Sequence, residues 1–169
     1  INIDSLQFTA PEKSYFLDNI NITATRQDKE NQLKLTSSFL KSSIEGNYLY
    51  HTLPASIMNI MRRYIPSLIQ PDKKPIKTNN NFSFDIHIFN TELLSTVFDI
   101  PLKIYSHSTV KGYFNDQAQR LRVEGYFPRL QYQNTFIESG LVLCENPTDQ
   151  FKAKVRFNNL KKESAVSIS

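Results

Sequence analysis

Tryptophan is missing from this chain, cysteine occurs once, methionine twice and glycine only four times in 169 residues. Each scarcity removes a class of protein. A single cysteine, Cys144, excludes an internal disulfide framework and any multi-cysteine metal site. Four glycines leave no Walker-type or dinucleotide-binding loop, and no G-x-S-x-G nucleophile turn is written anywhere. Apolar runs are short as well: none approaches the ~18 residues that a membrane-spanning helix requires.

The remaining chemistry-bearing residues are scattered. His51, His87 and His107 lack metal-ligand spacing and read as ordinary surface or turn histidines. Cys144 stands beside Glu145, whose charge would raise a thiol pKa and blunt a nucleophile. The chain is therefore expected to be no enzyme, with no catalytic residues, no metal and no cofactor. Net charge is +4 with a pI near 9.1. Arg120, Arg122 and Arg129, with Lys152, Lys154 and Arg156, could line a basic face near Tyr126 and Tyr132. A solvated strand face is the simpler reading of those charges, and no nucleic-acid partner is expected.

Phenylalanine and tyrosine are plentiful, twelve and eight, and such residues favour pleated half-buried surfaces. Period-two alternation runs through Phe16–Ala24, Leu33–Phe39, Ile44–Tyr50 and Phe82–Ile88. Further strands are expected at 102–107, 109–115, 119–127, 129–133, 136–144, 150–158 and 164–169. The turns between them are marked by Asn115-Asp116, Pro128, Gln133-Asn134, Asn146-Pro147 and Asn158-Asn159. Connections this short predict an antiparallel meander.

Two segments break the pattern. Ala55–Ile69 carries Ile57, Met58, Ile60, Met61, Tyr64, Ile65 and Leu68 at helical spacing, with Pro71 as its stop. Thr91–Phe98 reads as a short second helix, and Gln70–Asn81 as an exposed polar linker. This gives N-terminal strands over 1–50, helix and linker over 51–81, and a meander over 82–169, within one domain. The first residues, Ile1-Asn2-Ile3-Asp4, and the last, Ile168-Ser169, read as cuts through a longer protein.

Each C-terminal strand has one apolar and one wet face. Phe151, Ala153, Val155 and Phe157 oppose Lys152, Lys154 and Arg156; Leu121, Val123, Gly125 and Phe127 oppose Arg120, Arg122, Glu124 and Tyr126. The two helical segments are too small to cover so much apolar surface. A sandwich or barrel closure, a helical plug, or a ligand with long apolar chains would each hide it.

The glycines fall in a repeated frame: Val110-Lys111-Gly112-Tyr113-Phe114, then Val123-Glu124-Gly125-Tyr126-Phe127, with a looser Ile44-Glu45-Gly46-Asn47-Tyr48 upstream. Gly46, Gly112, Gly125 and Gly140 are expected to relieve crowding around aromatics or to bend the sheet.

With these units, the stretch NNFSFDIHIFNTELLSTVFDIPLKIYSHSTVKGYFNDQAQRLRVEGYFPRLQYQNTFIESGLVLCENP resembles the TamB/AsmA-like translocation and assembly module proteins of Bacteroidota-type bacteria, and IEGNYLYHTLPASIMNIMRRYIPSLI is similar to another segment of them. The resemblance implies a mainly β, curved antiparallel sheet, taco-like or partly closed, with one amphipathic helix and one short one. It implies a periplasmic segment of a protein held in the inner membrane by an N-terminal anchor outside this sequence. Its partners would be phospholipid acyl chains, and a BamA/TamA-like outer-membrane barrel protein reached through other regions. Its function would be lipid transport between membranes or outer-membrane protein assembly. The lipid-facing residues would be Phe82, Phe84, Ile86, Ile88, Leu121, Val123, Phe127, Phe151, Val155 and Phe157. The alternative from another class is a self-contained β-sandwich or barrel-like module binding a protein or polysaccharide.

Overall fold

The structure is a computed structural model that describes residues 1–10, 13–28, 30–64, 78–91, 95, 101–105, 107–147 and 150–162. Eleven strands make one antiparallel sheet: β1 (Asn2–Ala10), β2 (Lys13–Gln27), β3 (Glu30–Thr36), β4 (Leu40–Asn47), β5 (Asn81–Ile88), β6 (Leu102–Ile104), β7 (Ser108–Asn115), β8 (Arg120–Tyr132), β9 (Thr135–Glu145), β10 (Lys152–Arg156) and β11 (Asn159–Lys162). The order is β1-β2-β3-β4-β5-β7-β8-β9-β10, so nearly every strand lies beside its neighbour in sequence. β6 follows β7 along the same flank of β8, and β11 follows β10 along the same flank of β9. β1 and β10 stand at opposite ends of the order, and the sheet is not closed into a barrel.

The meander is as expected, but several boundaries move. β1 was not foreseen, because Asn2–Ala10 lacks clean alternation; it pairs along β2 from Asn2 opposite Asn21 to Ala10 opposite Lys13. Pro128 does not end a strand: β8 runs from Arg120 to Tyr132 without a turn. Proline costs the ladder only its own N–H, and the register with β9 resumes beyond it at Arg129 opposite Glu138. The expected strand at 150–158 shortens to Lys152–Arg156. The expected strand at 164–169 lies outside the described residues.

Several departures from regular strand geometry share a position. Carrying the registers across the sheet puts Asn19, His107, Pro128, Ser139 and Asn158 on one transverse line. Asn19, His107 and Ser139 have φ of 57°, 65° and 53°, in the left-handed region that non-glycine residues enter at a cost. At His107 the spacing also changes. Ile104 faces Leu130 and Thr109 faces Tyr126, so the flank of β8 carries one residue more than β8 does. This is the count of a β-bulge. Asn158 falls in the gap between β10 and β11 and donates its N–H to Glu138 O at 3.1 Å.

Between β4 and β5 the chain makes a 3-10 turn, Tyr50–Thr52, and the helix α1 (Leu53–Tyr64). Pro54 sits in the first helical turn, where an absent N–H costs nothing. The helix thus begins two residues ahead of the expected Ala55, and the remainder of that expectation, 65–69, lies outside the described residues. Of the short helix expected at Thr91–Phe98, only Thr91 and Ser95 are described, and the Ser95 N–H donates to Thr91 O at 2.8 Å. The rest lies outside the described residues.

The tightest packing is at one rim of the sheet, beside the start of α1. Phe82 and Phe114 stack with ring centres 5.2 Å apart, and Tyr48 meets Phe82 edge-on at 5.8 Å. Ile44, Leu53, Phe84 and Leu121 pack around these three. Tyr48 and Phe114 are each 1% exposed, and the Tyr48 hydroxyl donates to Ile44 O at 3.1 Å, so its polar tip is satisfied. Burial, with the neighbouring Tyr50 adding to it, pushes the Tyr48 hydroxyl pKa well above the usual tyrosine range.

Candidate functional surface

Antiparallel partners share a face, so the register assigns every strand residue to one side of the sheet. One side is apolar in successive rows. The row nearest α1 holds Asn31, Gly46, Phe82, Phe114 and Leu121. The second holds Ala24, Leu33, Ile44, Phe84, Gly112, Val123, Cys144 and Ala153. The third holds Ile22, Leu35, Ser42, Ile86, Val110, Gly125, Val142 and Val155. In the fourth, Leu40 pairs with Ile88, Ile88 with Ser108, and Phe127 with Gly140.

Eight of the ten residues expected to be lipid-facing therefore lie on this side. They are Phe82, Phe84, Ile86, Ile88, Leu121, Val123 and Phe127, with Val155 on the edge strand, while Phe157 follows β10 outside the ladder. Phe151 precedes β10 and is half-buried outside the ladder. The tenfold set is not one uniform environment. Phe82 is buried in the rim cluster, whereas Phe84, Ile86, Ile88, Leu121, Val123 and Phe127 are half-buried. Val155 and Phe157 are exposed, at 63% and 49%. Away from the rim, most of this apolar face retains contact with solvent.

The glycines make room for rings. Gly112 pairs with Phe84, whose Cζ would lie 2.8 Å from a Cβ placed on Gly112; the Arg122 carbonyl oxygen would be only 2.0 Å from it. The Phe127 ring lies over Gly125, with Cε2 2.7 Å from the same imagined atom. At Gly46, φ is +143° and the Asn81 carbonyl oxygen would be 2.3 Å away, so both conformation and space require glycine. Gly140 differs, since its nearest contacts would be ordinary at 3.6–3.8 Å.

The rim network was not legible as a site in the sequence. Asp116 reads there only as a turn former, and Asn80 as the end of an exposed linker. In the structure both are buried, and Asn81 already belongs to β5. The Asp116 carboxylate accepts from Ser56 Oγ at 2.8 Å and from the Asn80 N–H at 2.9 Å. The Asn80 side chain accepts from the Leu49 N–H at 2.9 Å and donates to Thr52 Oγ1 and Ser56 Oγ at 2.9 and 2.6 Å. Asn146 extends the ladder at the next strands, taking the Leu121 N–H at 2.6 Å and donating to Gln119 O at 2.6 Å. These bonds tie α1 to the ends of β4, β5 and β7. Each of these partners is part of the fold.

The opposite side is charged. One of its rows reads Thr23, Lys34, Ser43, Asp85, Lys111, Glu124, Leu143 and Lys154. Arg122 bridges Glu124 at 2.6 Å and Glu145 at 3.0 Å, and Lys111 approaches Glu124 at 3.8 Å. The hydrogen bond from Arg122 holds the Glu124 carboxyl below the usual range. Beyond the transverse line, Arg129 lies over Phe136 at 4.4 Å and Tyr105 at 5.2 Å. The six basic residues thus do not act together, since Arg122 is paired and Arg129 is stacked. A shallow depression of about 480 Å³ opens on this face over Lys111, Glu124, Tyr126, Leu141, Leu143, Lys154 and Arg156.

Among the described residues no group of three or more histidine, cysteine, aspartate or glutamate side chains could hold a metal ion. His87 contacts Asp85 at 3.1 Å on the exposed charged face. Cys144 lies in the second apolar row, and burial pushes its thiol pKa up. No helix of the described residues is long and apolar enough to cross a membrane.

The sheet is thus an open, two-faced antiparallel meander, apolar on one side and charged on the other. No protein-family model, curated protein or solved structure matches the chain.

Proposed function

We propose that this chain is a non-enzymatic lipid-handling segment whose apolar sheet face receives phospholipid acyl chains. One observation carries the reading: a multi-row apolar face across the sheet that stays half-exposed outside the rim cluster. At ~25 cal/mol per Å² of apolar surface, such a face is stabilised by whatever covers it. A flexible hydrocarbon chain suits it, because the rows present Ile, Val, Leu and Phe with no charged side chain among them.

In this reading the sheet curves about its apolar side, and the transverse line of left-handed residues, bulge and proline is where it does so. The glycine–phenylalanine pairs set the floor of the curve. The charged side faces water. The segment would belong to a TamB/AsmA-like periplasmic protein serving lipid transport or outer-membrane assembly. A barrel-like module closed by its own strands is not the sheet observed.

Native mass spectrometry of the chain incubated with phospholipid tests the reading. Phospholipid adducts are expected on the wild type and a large loss of them in an Ile86→Glu, Val123→Glu variant that keeps its β circular-dichroism signal. Equal adducts on both proteins, or none on the wild type, would remove the support for an acyl-chain surface.

A further inference from the structure

Beyond the apolar face, β10 forms one edge of the sheet. Among the described residues no strand pairs with its outer side, so that side keeps a row of backbone donors and acceptors open to a partner. Its side chains alternate strictly. Ala153 and Val155 lie on the apolar face, and Lys152, Lys154 and Arg156 on the charged one, all of them exposed. The carboxylates of the neighbouring strands are already engaged: Glu124 and Glu145 with Arg122, and Glu138 with Lys161. Three cations on one edge strand are therefore left to face whatever comes alongside.

We propose that the β10 edge accepts an added β-strand whose side chains alternate acidic and apolar. Backbone pairing supplies the attachment, the acidic residues answer Lys152, Lys154 and Arg156, and the apolar residues continue the rows of Ala153 and Val155. The depression beside Lys154 and Arg156, floored by Tyr126, Leu141 and Leu143, leaves room for long carboxylate side chains on the same face.

The same pattern disfavours pairing of β10 with the β10 of a second copy. A two-fold antiparallel pairing of β10 with itself, centred on Lys154, would place Lys152 against Arg156 and Lys154 against Lys154. Like charges directly opposite are destabilising, so the edge disfavours its own kind and is open to an acidic strand. This inference is independent of what occupies the apolar face.

The test uses the full chain with synthetic strand peptides of alternating Glu and Val, a Lys-for-Glu counterpart, and an acidic peptide N-methylated on alternate residues. Binding is read by fluorescence anisotropy, and the site by hydrogen exchange over 152–156. The acidic peptide should bind at least about tenfold more tightly than the basic one, and a Lys152→Glu, Lys154→Glu, Arg156→Glu variant should reverse that preference. N-methylation should abolish binding. Mixing wild type with the charge-reversed variant should produce heterodimers in sedimentation, while each protein alone stays monomeric. The proposal is overturned if no peptide binds, if binding survives N-methylation, if charge reversal leaves the preference unchanged, or if wild type alone pairs through 152–156.

Discussion

Gly112→Ala is expected to destabilise the chain severely while Gly140→Ala does not. The difference follows from the space around each glycine. A methyl group on Gly112 would sit 2.0 Å from the Arg122 carbonyl oxygen and 2.8 Å from the Phe84 ring. The ring could swing aside, but the carbonyl belongs to the ladder between β7 and β8 and cannot move without breaking it. Overpacking of this kind costs about 1–3 kcal/mol. In a chain of this length each kcal/mol is worth roughly 2–4 °C, so the melting temperature should fall by about 2–12 °C.

At Gly140 the nearest atoms would be 3.6 Å or more away, with Phe127 as the main neighbour. Alanine there meets only ordinary contacts and restricts the unfolded chain, for a gain of up to ~1 kcal/mol. Gly125→Ala should fall between the two, because the Phe127 Cε2 that it meets at 2.7 Å is the far end of a ring. Thermal and urea melts of the three variants supply the ranking. If Gly140→Ala costs as much as Gly112→Ala, room for phenylalanine rings is not what the glycines provide.

Asp116→Ala should leave the Ser56 hydroxyl and the Asn80 N–H without their buried acceptor, at ~1–3 kcal/mol for each, and a urea melt should show it. Phe114→Ala should cost roughly 3–5 kcal/mol, also by urea melt, since its 1%-exposed ring stacks on Phe82 and cannot be replaced from solvent. Tyr48 gives a pH dependence with a defined sign. Its folded pKa is raised by burial, so the stability it contributes is complete below the unfolded value of ~10 and is lost as pH climbs above it. Melts between pH 9 and 12 should show that decline in the wild type and less of it in Tyr48→Phe.

What could be read from the sequence was the alternation. Strands such as Phe82–Ile88 and Arg120–Phe127 announce their faces because apolar and polar residues occupy strictly alternate positions. Eight of the ten residues expected on the apolar face fall there for that reason. Phe151 and Phe157 flank β10, where alternation continues past the ladder that fixes a face. The rim network stayed hidden, because Asn80, Asp116 and Asn146 carry turn-forming chemistry in sequence and show their buried bonds only once three distant segments meet. The transverse line was equally hidden. Pro128 alone suggests a turn, and it takes the registers of seven neighbouring pairs to align it with Asn19, His107, Ser139 and Asn158.

The most direct test of the acyl-chain surface is photo-crosslinking to phospholipid from single benzophenone side chains on each face of the sheet. Positions 86 and 155 sample the apolar rows, and positions 85 and 154 the charged face one residue away. Lipid adducts at 86 and 155 with none at 85 and 154 are the predicted result. Equal labelling of the two faces, or no labelling at 86 and 155, would contradict an apolar face that carries lipid.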